Sequence, residues 1–206
     1  MIDKRMTILY PVHTGLYVNL TNKCPCACRF CLRQTMDQID GSGSLWLQHA
    51  PSYEEVIAEF NKFDMTKYSE LVFCGFGEPT EALPTLLRVA KYVKEHFVDL
   101  PIRMNTNGLG CLVNERNICP ELEGLVDTLS ISLNTPDPDR YLELVRPKFG
   151  SRSFQALLDF ARESKKYVPN VVLTTVDTTL TREEEEKCLK ICDELGVRYR
   201  IRAWES

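Results

Sequence analysis

Six short runs of apolar or alternating residues punctuate the chain, with longer stretches of helical spacing between them. The runs are Leu16 to Leu20, Glu70 to Cys74, Ile102 to Thr106, Thr128 to Leu133, Val171 to Val176 and Val197 to Arg202, and they carry the residue types that suit a strand. Ser52, followed three residues later by Glu55, reads as a capped helix start with Val56, Ile57 and Phe60 on one face. Leu83 to Phe97 and Thr181 to Leu195 repeat that spacing, and Glu183 to Glu186 place carboxylates at the positive end of the last helix. Strand and helix therefore alternate, which predicts an α/β protein of repeated βα units on a parallel sheet. A closed eight-stranded barrel takes roughly 250 residues. The 206 residues here suit a partial TIM-type barrel, a (β/α)6 core, with an open doubly wound sheet as the alternative.

No Pro- or Ser-rich linker and no repeat beyond the βα alternation divides the chain, so a single domain over residues 1–206 is expected. The longest connection, Gln34 to Pro51, contains DGSGS at Asp40 to Ser44 and follows the first run. In a βα architecture such loops build the site, so it reads as a functional loop or a flexible excursion. The opening MIDKRMTILYPVH has too short an apolar run for a signal segment, and no stretch approaches the ~18 apolar residues of a membrane span. A soluble, cytoplasmic protein is expected. A net charge of −4, without clustered Lys and Arg among aromatics, gives no nucleic-acid signature. Nine cysteines, an odd and crowded set, argue against a disulfide scaffold and for reduced thiols or metal ligands.

Between Cys24 and Cys31 the chain reads CPCACRFC. Structural zinc normally takes four ligands from two knuckles, and the pair Cys111 and Cys119 is too widely spaced to be the second. A redox pair accounts for Cys28 and Cys31 and leaves Cys24 unexplained. An iron-sulfur cluster accounts for all three, and a four-iron cube held by three thiolates leaves one iron for another ligand.

The spacing Cys24-x3-Cys28-x2-Cys31 after the first strand resembles the signature of the radical S-adenosylmethionine (radical SAM) superfamily. That resemblance implies a 4Fe-4S cluster on Cys24, Cys28 and Cys31, with Cys26 an extra thiol outside the ligand set. It also implies S-adenosyl-L-methionine on the remaining iron, reductive cleavage to a 5′-deoxyadenosyl radical, and hydrogen abstraction from a substrate. A reductant such as flavodoxin or ferredoxin would feed the cluster. Phe30 matches the family's aromatic beside the adenine, with ordinary core packing as the alternative.

Later strand ends bear on the same resemblance. Gly75-Phe76-Gly77-Glu78-Pro79 resembles the family's GGEP motif at the SAM amino group: Gly75 and Gly77 would let backbone approach a ligand, and Glu78 would meet an ammonium. Asn105-Thr106-Asn107-Gly108 resembles its TNG strand end, although an Asn-Gly turn reads the same way. Ser130, Ser132 and Asn134 fall on one face by period-two alternation, matching positions used toward the ribose and carboxylate of SAM. NTPDPDRYLELVRPKFG, Asn134 to Gly150, together with YPVHTGLYVNLTNKCPCACRFC and VFCGFGEPT, is similar to the TatD-associated radical SAM proteins. Arg146, Lys148 and Arg152 would bind the SAM carboxylate or an acidic substrate, or cap a helix end as solvated cations. Cys74, Cys188 and Cys192 read as small core or surface residues, Cys111, Cys119 and His49 as weak candidates for the site. With Trp204-Glu205-Ser206 just after the sixth run, an open substrate side is expected, suiting a macromolecular substrate or a partner that closes the site, as in glycyl-radical activating enzymes. The competing class is non-catalytic, an iron-sulfur electron carrier or a zinc-binding module, and neither accounts for Gly75 to Pro79.

Overall fold

The computed structural model describes residues 6–38 and 41–203. Asp40, Trp204, Glu205, Ser206 and the first five residues of the opening segment lie outside that range. Seven strands form one sheet in chain order: β1 (Leu9–Val12), β2 (Gly15–Val18), β3 (Glu70–Phe73), β4 (Ile102–Thr106), β5 (Thr128–Ser132), β6 (Asn170–Val176) and β7 (Arg198–Arg202). Neighbours from β2 to β7 are parallel, and each connection between them crosses over one face of the sheet. The six strands expected from the sequence are β2 to β7.

The seventh, β1, is an addition to that expectation. It pairs antiparallel with β2 through a hairpin whose turn puts His13 at φ 50°. Pro11 lies within β1, where a proline reads against a strand. The sheet edge resolves the conflict, because the missing N–H leaves no inner ladder bond unmade.

The crossovers supply α1 (Tyr53–Phe60), α2 (Leu83–His96), α3 (Gly110–Val113), α4 (Pro138–Val145), α5 (Arg152–Ser164) and α6 (Arg182–Leu195). Helix α1 starts where the sequence places it: Glu55 N–H donates to Ser52 Oγ at 3.2 Å and Ser52 N–H to Glu55 Oε2 at 2.8 Å. Thr181 and Glu184 build the same box at α6. One sheet face carries Leu71, Phe73, Ile102, Met104, Leu129, Ile131 and Leu173, all fully buried against Leu86, Val89, Leu157 and Phe160 of the helices. Each such side chain is worth roughly 1.5–3 kcal/mol on burial, so this layer carries the fold. Cys188 and Cys192 are buried in this core, the first of the two places, core or surface, that the sequence left open for them.

The alternate positions face the other way. Tyr17, Arg103, Asn105, Ser130, Ser132, Thr174 and Arg200 sit one residue out of phase with the apolar layer. Arg200 donates to Ser130 Oγ at 3.1 Å and lies within electrostatic reach of Tyr17 and Glu70. A flat sheet at about 4.8 Å per strand would hold β7 roughly 24 Å from β2. The sheet therefore curls around its polar face, in the manner of a partial TIM-type barrel whose edge strands β1 and β7 do not pair.

Part of the long loop after β2 is pinned to the body rather than free. Asn19 Nδ2 donates to Leu45 O at 2.8 Å, Asn22 Nδ2 to Leu47 O at 2.7 Å, and Leu47 N–H donates to Asn22 Oδ1 at 3.0 Å. Leu45 packs with Tyr10, Val12 and Phe76 in a second apolar cluster, and Trp46 meets Phe76 edge-on with 5.1 Å between ring centroids. Among the described residues no helix is long and apolar enough to cross a membrane.

Candidate functional site

The cysteine loop leaves the end of β2 and is tied down from three sides. On the first, Glu78 N–H, after β3, donates to Lys23 O at 2.8 Å. On the second, residues 144–148 at the end of α4 run beside it. Ala27 N–H donates to Val145 O at 3.1 Å, Arg29 N–H to Leu144 O at 2.9 Å and Lys148 N–H to Pro25 O at 2.8 Å, with a bridge between Cys26 and Pro147. A left-handed Arg146, φ 47°, ends α4 and turns the chain into this short ladder. On the third, Arg33 Nη2 donates to Cys26 O at 3.1 Å.

The loop gathers its thiols unevenly. Cys26 is buried and hydrogen-bonds to both Cys24 and Cys28, which raises its own pKa far above the ordinary thiol value and lowers both of theirs. Burial pushes the Cys31 thiol up, and Arg33 acts against it. Asn107 Nδ2 stands 3.9 Å from Cys24 Sγ. As the chain is folded, no three His, Cys, Asp or Glu side chains among the described residues converge closely enough to hold a metal ion. The donor chemistry nevertheless fits an iron-sulfur cluster, four thiols in one loop at the end of the first parallel strand. A second observation agrees. Tyr141 on α4 is fully buried, its hydroxyl has no hydrogen-bond partner among the described residues, and Cys26, Cys28, Glu78 and Cys24 all lie within its electrostatic reach. A buried donor beside soft acceptors suits a site that gains a sulfur acceptor on loading.

The glycines after β3 serve a different need from the one their sequence suggests. A Cβ on Gly77 would stand 2.1 Å from Thr21 O and 2.7 Å from Lys23 O, and one on Gly75 would stand 2.2 Å from Asn19 Oδ1. Their bareness lets this turn press against the cysteine loop, with protein rather than ligand filling the space. Phe76 between them fills the cluster of Tyr10, Val12 and Leu45, which explains a bulky residue there. Glu78 is also turned inward. Its Oε1 accepts from Thr80 N–H, Thr80 Oγ1 and Thr106 Oγ1 at 3.2, 2.9 and 2.7 Å, and its Oε2 from Asn107 N–H at 2.8 Å. Burial raises its pKa while these donors pull it down, and through them the side chain joins the ends of β3 and β4. Pro79 is buried at the start of the following turn.

The remaining candidates divide by place. Phe30 is 37% exposed and belongs to no core cluster, which sets aside the core-packing alternative. Asn105 accepts from Arg103 Nη1 at 2.8 Å, Ser130 accepts from Arg200, and Ser132 is half-buried on the same face. Asn134, two residues past the end of β5, has φ 66° and donates to Ser132 O at 3.3 Å. Cys111 and Cys119 pair with each other beside Ser164 of α5. His49 pairs with Glu55 at 2.8 Å in an exposed position. Arg146 and Lys148 are exposed, the Lys148 ammonium 3.9 Å from Glu81, and Arg152 begins α5. A cavity of about 910 Å³ between α1 and α2, lined by Phe60, Phe63, Tyr68, Tyr92 and Phe97, opens near the strand N-termini, away from these groups. Sequence reasoning missed Arg33 and Tyr141, and it quoted Asn107 only as part of the TNG strand end, without a role toward Cys24. It also missed Arg200 and Arg202, although arginine at every second position of β7 was a legible signal.

The model of the Radical SAM superfamily matches residues 18–195, which covers β2 through α6. The chain belongs to the radical SAM superfamily. Solved structures share this radical SAM fold. SuiB of Streptococcus suis, bound to the precursor peptide SuiA, aligns with TM-score 0.68 and 14% identity over 93% of this chain and 39% of its own. A radical SAM methyltransferase from Sphaerobacter thermophilus aligns with TM-score 0.62 and 16% identity over 96% and 69%, and methylornithine synthase with 0.61 and 16% over 93% and 53%. This radical SAM chain thus spans about two fifths of SuiB and half of methylornithine synthase. No curated protein matches it.

Proposed function

We propose that the chain is the catalytic core of a radical SAM enzyme of the TatD-associated subgroup, folded as one domain. The observation that carries this reading is the set Cys24, Cys28 and Cys31 in a loop clamped to the ends of β3 and α4, in a chain of this family. These three thiolates would hold a 4Fe-4S cluster. When bound, the cluster and SAM supply one-electron reductive cleavage of the sulfonium and, with it, hydrogen-atom abstraction.

The chain's own residues hold and orient. Gly75 to Pro79 fixes the distance between the β3 end and the cysteine loop, so that backbone groups there can meet the SAM amino group. Asn105, Ser130, Ser132 and Asn134 line the polar face toward the ribose and carboxylate. Phe30 offers an exposed ring for the adenine. Cys26 stays a core anchor, its backbone bridged to Pro147 and its carbonyl held by Arg33. A flavodoxin or ferredoxin would reduce the cluster, and the substrate would be macromolecular; SuiB, solved with a precursor peptide, is a fold relative for which the bound partner is a peptide.

Anaerobic reconstitution with iron and sulfide, dithionite reduction and addition of SAM tests the reading. It predicts 5′-deoxyadenosine in the parent and in Cys26→Ser, and loss of both iron and product in Cys24→Ser, Cys28→Ser and Cys31→Ser. Zinc as the only bound metal, or a fully loaded cluster without cleavage, would overturn it.

A further inference from the structure

We infer that Arg200 and Arg202, on the polar face of the curled sheet, form an anion subsite for a carboxylate or phosphate group of the substrate. This deepens the radical SAM reading, on which the assignment to substrate rests.

The charges on that face do not cancel. Arg103 is matched: Nε and Nη2 meet the two oxygens of Glu70 at 2.9 and 2.6 Å, Nη1 donates to Asn105 and Nη2 to Tyr17 Oη at 3.3 Å. That fork-to-fork pair is neutral and complete. Arg200 has only the hydroxyl of Ser130, and no carboxylate among the described residues stands within ion-pair distance of Arg200 or Arg202. Arg202 goes further, since its Nε is shut off from solvent and finds no acceptor among the described residues. Two guanidinium groups two residues apart on one strand face therefore stand without a paired counter-charge among the described residues. Burial together with Arg103 and Arg202 lowers the Arg200 pKa, the mark of cations crowded onto one another.

Such an arrangement weakens the fold, because desolvated like charges repel and a buried donor without an acceptor costs stability. An anion binding the pair would supply acceptors for both and remove the repulsion. Arg200 is within reach of Tyr17, Glu70 and Arg103, which lie within the sheet below its C-terminal rim, and Arg202, the last residue of β7, is within reach of Cys74 at that rim, so the pair runs from the interior of the sheet up to its edge.

Inorganic phosphate and oxalate are the probes, titrated separately against the purified protein with thermal unfolding as readout. This measurement needs neither cluster nor turnover, so its outcome is independent of whether SAM is cleaved. One or both anions should raise the melting temperature, and whichever does so at lower concentration identifies the group the pair prefers. Arg200→Gln and Arg202→Gln should each weaken that response about tenfold, the size expected for losing one charge-assisted contact. Arg200→Lys should restore part of it, and Lys148→Gln should leave it unchanged. The Arg200→Gln/Arg202→Gln double variant should melt no lower than the parent without anion. Its affinity for SAM on the reconstituted protein, measured by equilibrium dialysis, should be unaltered. An unchanged anion response in the double variant overturns the subsite, as does a large loss of its stability, which would make the pair structural. A tenfold loss of SAM affinity would assign the pair to the SAM carboxylate instead.

Discussion

Tyr141 illustrates how a single atom separates packing from chemistry. Its ring is fully buried and meets Phe154 edge-on at 5.4 Å, yet its hydroxyl bonds to nothing among the described residues. Removing the oxygen forfeits no hydrogen bond, so Tyr141→Phe should match or exceed the parent's stability, by up to about 1 kcal/mol in urea unfolding of the unloaded protein. A loss larger than that would reveal a partner for the hydroxyl. Cys111 offers a titration instead. The Cys119 thiol donates a hydrogen bond to its sulfur and holds its pKa at about 7, below the 9.0 of an ordinary thiol. A lowered thiol pKa puts the reactive thiolate at lower pH. Alkylation of Cys111 by iodoacetamide, followed by peptide mass spectrometry, should therefore rise through a midpoint near pH 7. In Cys119→Ala, which removes the donor, the midpoint should move up toward 9.0.

Among the elements, the turn after β3 shows that two glycines in one motif are not equivalent. An added methyl at Gly77 meets two backbone carbonyls, which can move only if the cysteine loop moves. At Gly75 it meets the Asn19 side chain, which can rotate at the expense of its bonds to Leu45 and Thr7. Gly77→Ala should cost about 3 kcal/mol and Gly75→Ala roughly 1–2, compared by denaturant unfolding at matched conditions. Equal costs would place the strain elsewhere. The same turn shows what sequence could and could not reveal. Strands β2 to β7 were legible because period-two alternation or a short apolar run reports directly on burial. Strand β1 was not, because Pro11 is tolerated there only through its edge position, a property of the sheet as a whole. Helix α5 carries Phe154, Leu157, Phe160 and Ala161 in an ordinary helical stripe that sequence reading left unassigned, whereas α4 is short and dominated by its polar face. The enclosure of Glu78 was not legible, since the four donors that surround it come from two separate strand ends.

At the scale of the molecule, the sheet is most protected at its centre. Leu129 and Ile131 of β5, with Leu173 of β6, have full burial and paired neighbours on both sides, while β1 and β7 are edges. Hydrogen exchange should be slowest in β4 to β6 and fastest in β1 and β7; uniform protection across the sheet would contradict this order. The ladder between Pro25–Arg29 and Leu144–Lys148 gives the whole chain a temporal dimension. Its two sides lie about 120 residues apart, so at roughly 5–20 residues per second a ribosome needs roughly 6–25 s to make the second after the first. Throughout that interval the four thiols leave the ribosome without the backbone that later encloses them, and they meet the cell's oxidants and metals as an open segment.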